Sequence, residues 1–144
     1  MEVLYQKSFL VRGRDFDKAG EVSTQVKSIL KALGIQSDVI RRVAIATFEA
    51  EMNVVIHAAE GKMDVQLTPE EIIIVVVDKG PGIADIDLAM QEGYSTASDE
   101  MREMGFGAGM GLPNIKRNSD RMHIESEVGV GTSLSIAIRH SSSG

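Results

Sequence analysis

Apolar residues recur along this chain in two rhythms, and the points where one gives way to the other divide it into elements. Residues 3–11 mix β-branched and aromatic side chains and predict a first strand, with Gly13 and Asp15 supplying a turn and a cap. Across residues 16–33 the spacing changes to threes and fours (Val22, Val26, Ile29, Leu30, Leu33), which predicts a helix stopped by Gly34. Ser37 or Asp38 can cap a second helix reaching about Ala59. Its apolar stripe would be Ile45, Phe48, Met52, Val55 and Ile56, and Gly61-Lys62 would end it.

Residues 63–67 and 72–77 are β-rich, and the short turn 68–71 between them suits a hairpin. The second of these strands is apolar on both faces, which predicts a central place in a sheet. Residues 84–108 keep no sustained period and read as a short helix followed by a mobile loop, a lid. A helix over 112–118 and strands over 122–128 and 132–138, joined by Gly129-Val130-Gly131, complete the chain. The order β, α, α, β, β, lid, α, β, β predicts an α+β fold: a two-layer sandwich, with a mostly antiparallel mixed sheet and helices on one face.

At 144 residues the chain is one domain's worth. Residues 1–140 are expected to form it, with Ser141-Ser142-Ser143-Gly144 a flexible tail or cloning scar. A net charge of −6 argues against a phosphate-backbone footprint, so nucleic acid is not an expected partner. The absence of cysteine excludes disulfides and thiolate metal sites and points to a reducing cytoplasm. The longest wholly apolar run, 72–77, is too short to cross a bilayer, and no membrane association is expected.

Three patterns carry candidate chemistry. Glu49 and Asn53, four apart, fall on neighbouring turns of one helix face, at the margin of the apolar stripe. A carboxylate there could act as a base, and the Asn oxygen is a reasonable hard ligand for Mg²⁺, although both also read as ordinary solvated helix polars. Asp78-Lys79-Gly80-Pro81-Gly82 follows the buried strand directly. Its carboxylate could accept from an exocyclic amine while the glycines admit a flat base, and a plain turn fits the same residues. Gly105, Gly107, Gly109 and Gly111 alternate immediately before a helix with Pro113 in its first turn, an arrangement that offers unblocked N–H groups to an anion. It is neither a P-loop, since no Gly-Lys-Ser/Thr follows, nor a dinucleotide fingerprint, since no βαβ unit surrounds it. A hinge without a ligand is the competing reading. Thr132, after Gly131, could serve a ligand or cap a turn, and His57, a turn beyond Asn53, reads as structural.

Taken in order, Glu49-x-x-x-Asn53, Asp78-x-Gly80-x-Gly82, the glycine group 105–111 and Gly131-Thr132 resemble the N, G1, G2 and closing boxes of the GHKL ATPases. The resemblance runs from about residue 40 to 138 and implies the Bergerat fold of that family, with ATP and Mg²⁺ as ligands. It implies Glu49 as general base or water-positioning carboxylate and Asn53 as the Mg²⁺ ligand. Asp78 would bind the adenine amino group, assisted by Gly82 and by Thr132 through water, and the glycines 105–111 would close over the phosphates. The stretches beginning at Gly80, Gly93 and Gly109 look like the RsbT-type switch serine kinases more than the RsbW or SpoIIAB anti-sigma factors. A longer, charged lid (98–103) departs from the RsbT pattern.

The implied function is an ATP-dependent serine-protein kinase of a partner-switching circuit, acting on a STAS-domain antagonist protein. The alternative is a nucleotide-gated module that sequesters a sigma factor or other partner, and a bare ATPase is a third reading. Arg102, Lys116 and Arg117 are candidates for phosphate charge or an acidic partner. A homodimer is left open.

Overall fold

The computed structural model describes residues 2–91 and 111–140. Strand β1 (Tyr5–Arg12) leads through a single 3-10 turn (Phe16–Lys18) into helix α1 (Glu21–Ala32) and then the long helix α2 (Ser37–His57). Strands β2 (Glu60–Leu67) and β3 (Glu71–Lys79) form the expected hairpin. A short helix α3 (Ile86–Ala89), helix α4 (Gly111–Asn118) and strands β4 (Arg121–Glu127) and β5 (Gly131–Arg139) follow. The five strands lie in the order β1-β2-β3-β5-β4, with β3 central as expected. Every pair is antiparallel, so the sheet is antiparallel throughout rather than mixed.

Period-two alternation aims one side of each strand at the helices. Phe9, Met63, Val76, Leu134 and Ile124 form one such cross-strand row, the first four buried, and Val65, Ile74 and Ile136 belong to the next. Helix α2 lies over the sheet with α1 along one flank and α4 along the other, so it is enclosed on three sides. That enclosure explains why the buried face is wider than the single predicted stripe, of which Met52, Val55 and Ile56 are buried as expected. Phe48 is exposed and Ile45 only half-buried, while Val39, Ile40, Val43, Ala46, Ala50, Met52 and the run Val54 to Ile56 fill a much wider buried arc.

Three boundaries also shift. The first helix does not start at Phe16: the chain breaks at Gly20 (φ 96°), and Asp15 makes no side-chain cap bond. The cap comes instead from Glu51 of α2, only 2% exposed, whose carboxylate accepts from the backbone N–H groups of Gly20, Val22 and Ser23 at 3.0, 3.2 and 3.1 Å. A negative charge there also complements the positive end of the α1 dipole. The other end of α1 behaves as expected, with Gly34 N–H bonded to the Lys31 carbonyl and Ile35 N–H to that of Leu30, the paired bonds of a Schellman stop. Neither Ser37 nor Asp38 caps α2, because both already lie within it and Gln36 takes the N-cap position without a side-chain bond.

Gly61 is the third correction. It lies within β2 rather than ending α2, because a Cβ there would come within 2.8 Å of Val54 Cγ2, and its absence lets the helix rest on the sheet. The hairpin turn is held by Thr68, whose hydroxyl donates to the Glu71 carbonyl and accepts from its N–H, both at 3.0 Å. At the opposite side, Arg42 of α2 donates to the Asn118 carbonyl and to Asp120, each at 3.2 Å, and so ties down the end of α4.

Candidate functional site

The polar residues singled out in the sequence gather around the second half of α2 in two groups. The first lies between α2 and α4. Glu49 and Asn53 are both half-buried on the flank that faces α4. Asn114, one turn into α4, donates from Nδ2 to Glu49 Oε2 at 3.2 Å, so among the described residues the carboxylate is oriented by one bond and has lone pairs to spare. Gly111 opens α4 directly beside Asn53: a Cβ on it would lie 3.0 Å from Asn53 Oδ1. The Asn53 amide therefore stands at the N-terminal end of that helix, where backbone N–H groups lack intrahelical partners. Lys116 and Arg117 are exposed in the last turn of α4, at its far end.

The second group forms where the sheet passes beyond the helix that covers it. One inward-facing row runs across four strands as Gly61, Asp78, Thr132 and Ser126. Asp78 Oδ1 accepts from the Thr132 N–H at 3.0 Å. Burial pushes the Asp78 carboxyl above the ordinary aspartate range, and the Thr132 N–H opposes that shift without cancelling it. Gly80 packs against the end of α2, where a Cβ would lie 3.1 Å from Ala58 Cα. Gly82 combines a positive φ of 74° with close approach to the Glu127 carbonyl, so any side chain there would displace the β4–β5 turn. The turn itself is closed by Val130 N–H to the Glu127 carbonyl at 3.0 Å, and Gly129 N–H donates to the Pro81 carbonyl at 2.9 Å, which joins the Asp78-to-Gly82 segment to the β4–β5 hairpin.

Ser126 was not legible as a site residue. Its signal is a polar side chain at an inward position of β4, in step with Met122 and Ile124. Its hydroxyl accepts from the Ile83 N–H at 2.7 Å and contacts the Gly131 carbonyl at 3.1 Å and Thr132 Oγ1 at 2.9 Å. Asn114 carries no local sequence signal, because only the packing of α4 against α2 puts it beside Glu49. Gly105, Gly107, Gly109, Arg102 and the expected lid (98–103) lie outside the described residues. His57 behaves as expected of a structural residue: burial, and secondarily the Arg14 charge, hold its imidazole below the ordinary histidine range.

No group of three or more His, Asp or Glu side chains able to hold a metal occurs among the described residues. The donor set fits Mg²⁺ only in the manner of a nucleotide site, where one or two protein oxygens share the ion with phosphates and water. A separate recess of about 380 Å³ lies between β1 and α1, lined by residues that include Arg12, Lys18 and Glu51, and none of the candidate site residues takes part in it. Among the described residues, no helix is long and apolar enough to cross a membrane.

An antiparallel sheet roofed by α2, with an Asp-x-Gly-x-Gly turn at the end of its central strand and a Glu-x-x-x-Asn pair on the roofing helix, is the architecture of a GHKL ATPase domain. The chain belongs to that family: residues 38–142 match the model of the histidine kinase-, DNA gyrase B-, and HSP90-like ATPases. Within it, the chain is 30% identical over 112 residues to the serine/threonine-protein kinase RsbT of Bacillus subtilis, covering 75% of this chain and 78% of that one. It is 32% identical over 114 residues to an anti-sigma F factor of Clostridium kluyveri, covering 76% and 77%. Among solved structures, a chain from the SiaB-SiaC complex of Pseudomonas aeruginosa superposes with a TM-score of 0.64 at 15% identity, over 94% of this chain and 89% of that one, a likeness of fold.

Proposed function

We propose that this protein is an ATP-dependent serine-protein kinase of a partner-switching circuit, and that its acceptor is a serine on a small STAS-domain antagonist protein. The observation that carries the reading is the convergence of two polar groups on one half of α2: Glu49 and Asn53 beside the start of α4, and Asp78 with Thr132 at the sheet end. The similarity to a protein named as a serine/threonine kinase supports transfer to a protein hydroxyl.

In this reading Asp78 accepts from the adenine amino group, with Gly82 and Thr132 alongside it, and the backbone of Gly80 and Gly82 admits the flat base. The phosphates run toward Gly111 and the glycines 105, 107 and 109, where unblocked N–H groups receive them. Asn53 would hold Mg²⁺ together with the phosphates, and the ion supplies neutralisation of phosphate charge. Glu49, oriented by Asn114, accepts the proton of the incoming serine hydroxyl. Phosphoryl transfer needs chiefly positioning and electrostatic stabilisation, so this small set of groups is sufficient. The protein would work in the cytoplasm, where ATP and such partners occur.

A second reading is a nucleotide-gated module that sequesters a sigma factor, favoured by the similarity to anti-sigma F factors. Calorimetric titration with ATP and Mg²⁺, followed by incubation with γ-labelled ATP and the STAS-domain proteins of the same genome, separates the two. Saturable binding and label on a serine of one such protein are expected. Binding without transfer to any of them would favour sequestration, and absence of binding would remove both.

A further inference from the structure

Resting on the reading of Glu49 as the base for an incoming serine, we infer that the open side of α2, centred on Phe48 and Ile45, is the docking surface for the acceptor protein. The sheet, α1 and α4 enclose α2 on three sides, and the fourth is left uncovered over the first half of the helix. Arg41, Ala44, Ile45 and Phe48 share an arc of about 100° there, at 3.6 residues per turn. Arg41 and Phe48 are exposed, and Ala44 and Ile45 are half-buried. Met52 and Val55 continue the same arc but are buried, so the open stretch ends at Phe48. Isolated exposed apolar side chains are ordinary, but these are contiguous neighbours at spacings of three and four. Phe48, 40% exposed, is also the one aromatic among the exposed large hydrophobic residues of the described chain. Part of its ring lies over the start of α1, where a Cβ on Gly20 would be 3.6 Å from Phe48 Cε1, and the rest faces solvent.

The position of this face decides what covers it. A hydroxyl that gives its proton to Glu49 must come within hydrogen-bond reach of that carboxylate. Glu49 follows Phe48 in the chain and lies only about 40° around the helix from Ile45. The sheet lies beneath α2, and α4 holds the adjoining flank through Asn114. The nucleotide of the proposed function fills the space toward Asp78, which leaves the Phe48 side as the way in. A specific protein interface covers about 800 Å² on each partner, far more than the loop that carries one serine, so a folded acceptor reaching Glu49 also lies across Ile45 and Phe48. An aromatic centre with an arginine beside it is the composition such interfaces favour. A small-molecule acceptor would have no use for this face.

The test uses the STAS-domain protein that wild type labels from γ-labelled ATP. Phe48→Ala should raise the KM for that protein about tenfold or more, while kcat at saturating acceptor and the affinity for ATP with Mg²⁺ each stay within about twofold. An unchanged KM overturns the inference. So does a fall in kcat alone, which would make Phe48 a support for the site rather than a contact. The chain has no cysteine, so Arg41→Cys supplies a single exposed thiol on this face without removing packing that the fold needs. With the acceptor at about ten times its Kd and a non-hydrolysable ATP analogue present, maleimide labelling at position 41 should slow about tenfold. Lys62→Cys, exposed on the far side of the sheet in the row of Leu10 and Val77, should keep its rate. Full-rate labelling at position 41 would place the acceptor elsewhere. Shielding of position 41 by raised concentrations of this protein alone would make the face a contact between its own copies, and that also overturns the inference. If wild type labels no STAS-domain protein, the kinase reading falls and takes the inference with it, a result distinct from transfer with an unshielded face.

Discussion

The two flanks of α2 put carboxylates two residues apart to opposite uses. On the α1 side, Glu51 is fully enclosed and accepts three backbone N–H bonds, so its charge is consumed in holding the start of a helix. On the α4 side, Glu49 is half-buried and, among the described residues, engages one side-chain amide, which leaves lone pairs to meet a proton or a phosphate's surroundings. About 200° of helix rotation separates the two side chains. What distinguishes a structural from a chemical carboxylate here is how many of its acceptor sites the fold already fills.

The largest expected effect falls on the enclosed side. Glu51→Ala leaves three N–H groups without their acceptor and should destabilise the fold by about 3–6 kcal/mol, at about 1–3 kcal/mol per unpaired buried group with partial relaxation. Thermal and urea unfolding measure it; a loss below about 1 kcal/mol would place water or another acceptor at the start of α1.

Next comes the open side. Glu49→Ala should slow phosphoryl transfer by about 100-fold or more, the usual worth of a positioned base, while ATP affinity stays within about threefold and the melting temperature barely moves. If Glu49→Ala unfolds as readily as Glu51→Ala, the contrast between the flanks collapses.

Asp78→Asn should weaken ATP about 10- to 100-fold, the loss of one charged hydrogen bond worth about 1.5–3 kcal/mol. Because the Asp78 pKa is raised in the fold, its ionisation opposes folding at neutral pH. The unliganded variant should therefore melt higher than wild type near pH 7. That gain is complete above the raised pKa and vanishes as the pH falls below the ordinary aspartate value of 3.8. Equal melting temperatures at pH 7 would mean that the carboxylate is as well solvated folded as unfolded.

The smallest effect belongs to His57. Its folded pKa is lowered, so the stability of its neutral form is fully present above the ordinary value of 6.5 and is lost as the pH falls through that value toward the depressed one. Wild type should lose melting temperature more steeply from pH 7 to pH 5 than His57→Gln does. Parallel curves for the two proteins would relieve His57 of that role.

How much of this was readable in one dimension follows from the range of each interaction. Residue type, turn signals and helical spacing predicted the five strands and three longer helices found among the described residues, because these are local properties of the chain. Asp78, Gly80, Gly82 and Thr132 stood out because turn residues at a strand end are a local signal, and the fold brings Asp78 and Thr132 within one hydrogen bond. Glu51 did not stand out, although its spacing from Val43, Thr47 and Val54 puts it on the buried arc, since a carboxylate at a core position declares its purpose only when a second helix docks upon it. The same holds for Gly61, whose role depends on Val54 approaching from α2, and for Asn114 and Ser126, each meaningful through a partner 65 or 6 residues away. By itself, then, the sequence determined which segments are strands and helices and which ends of them carry chemistry. Which carboxylate is spent on packing and which is left open was decided only by tertiary structure, because filling a lone pair requires a donor brought from elsewhere in the chain.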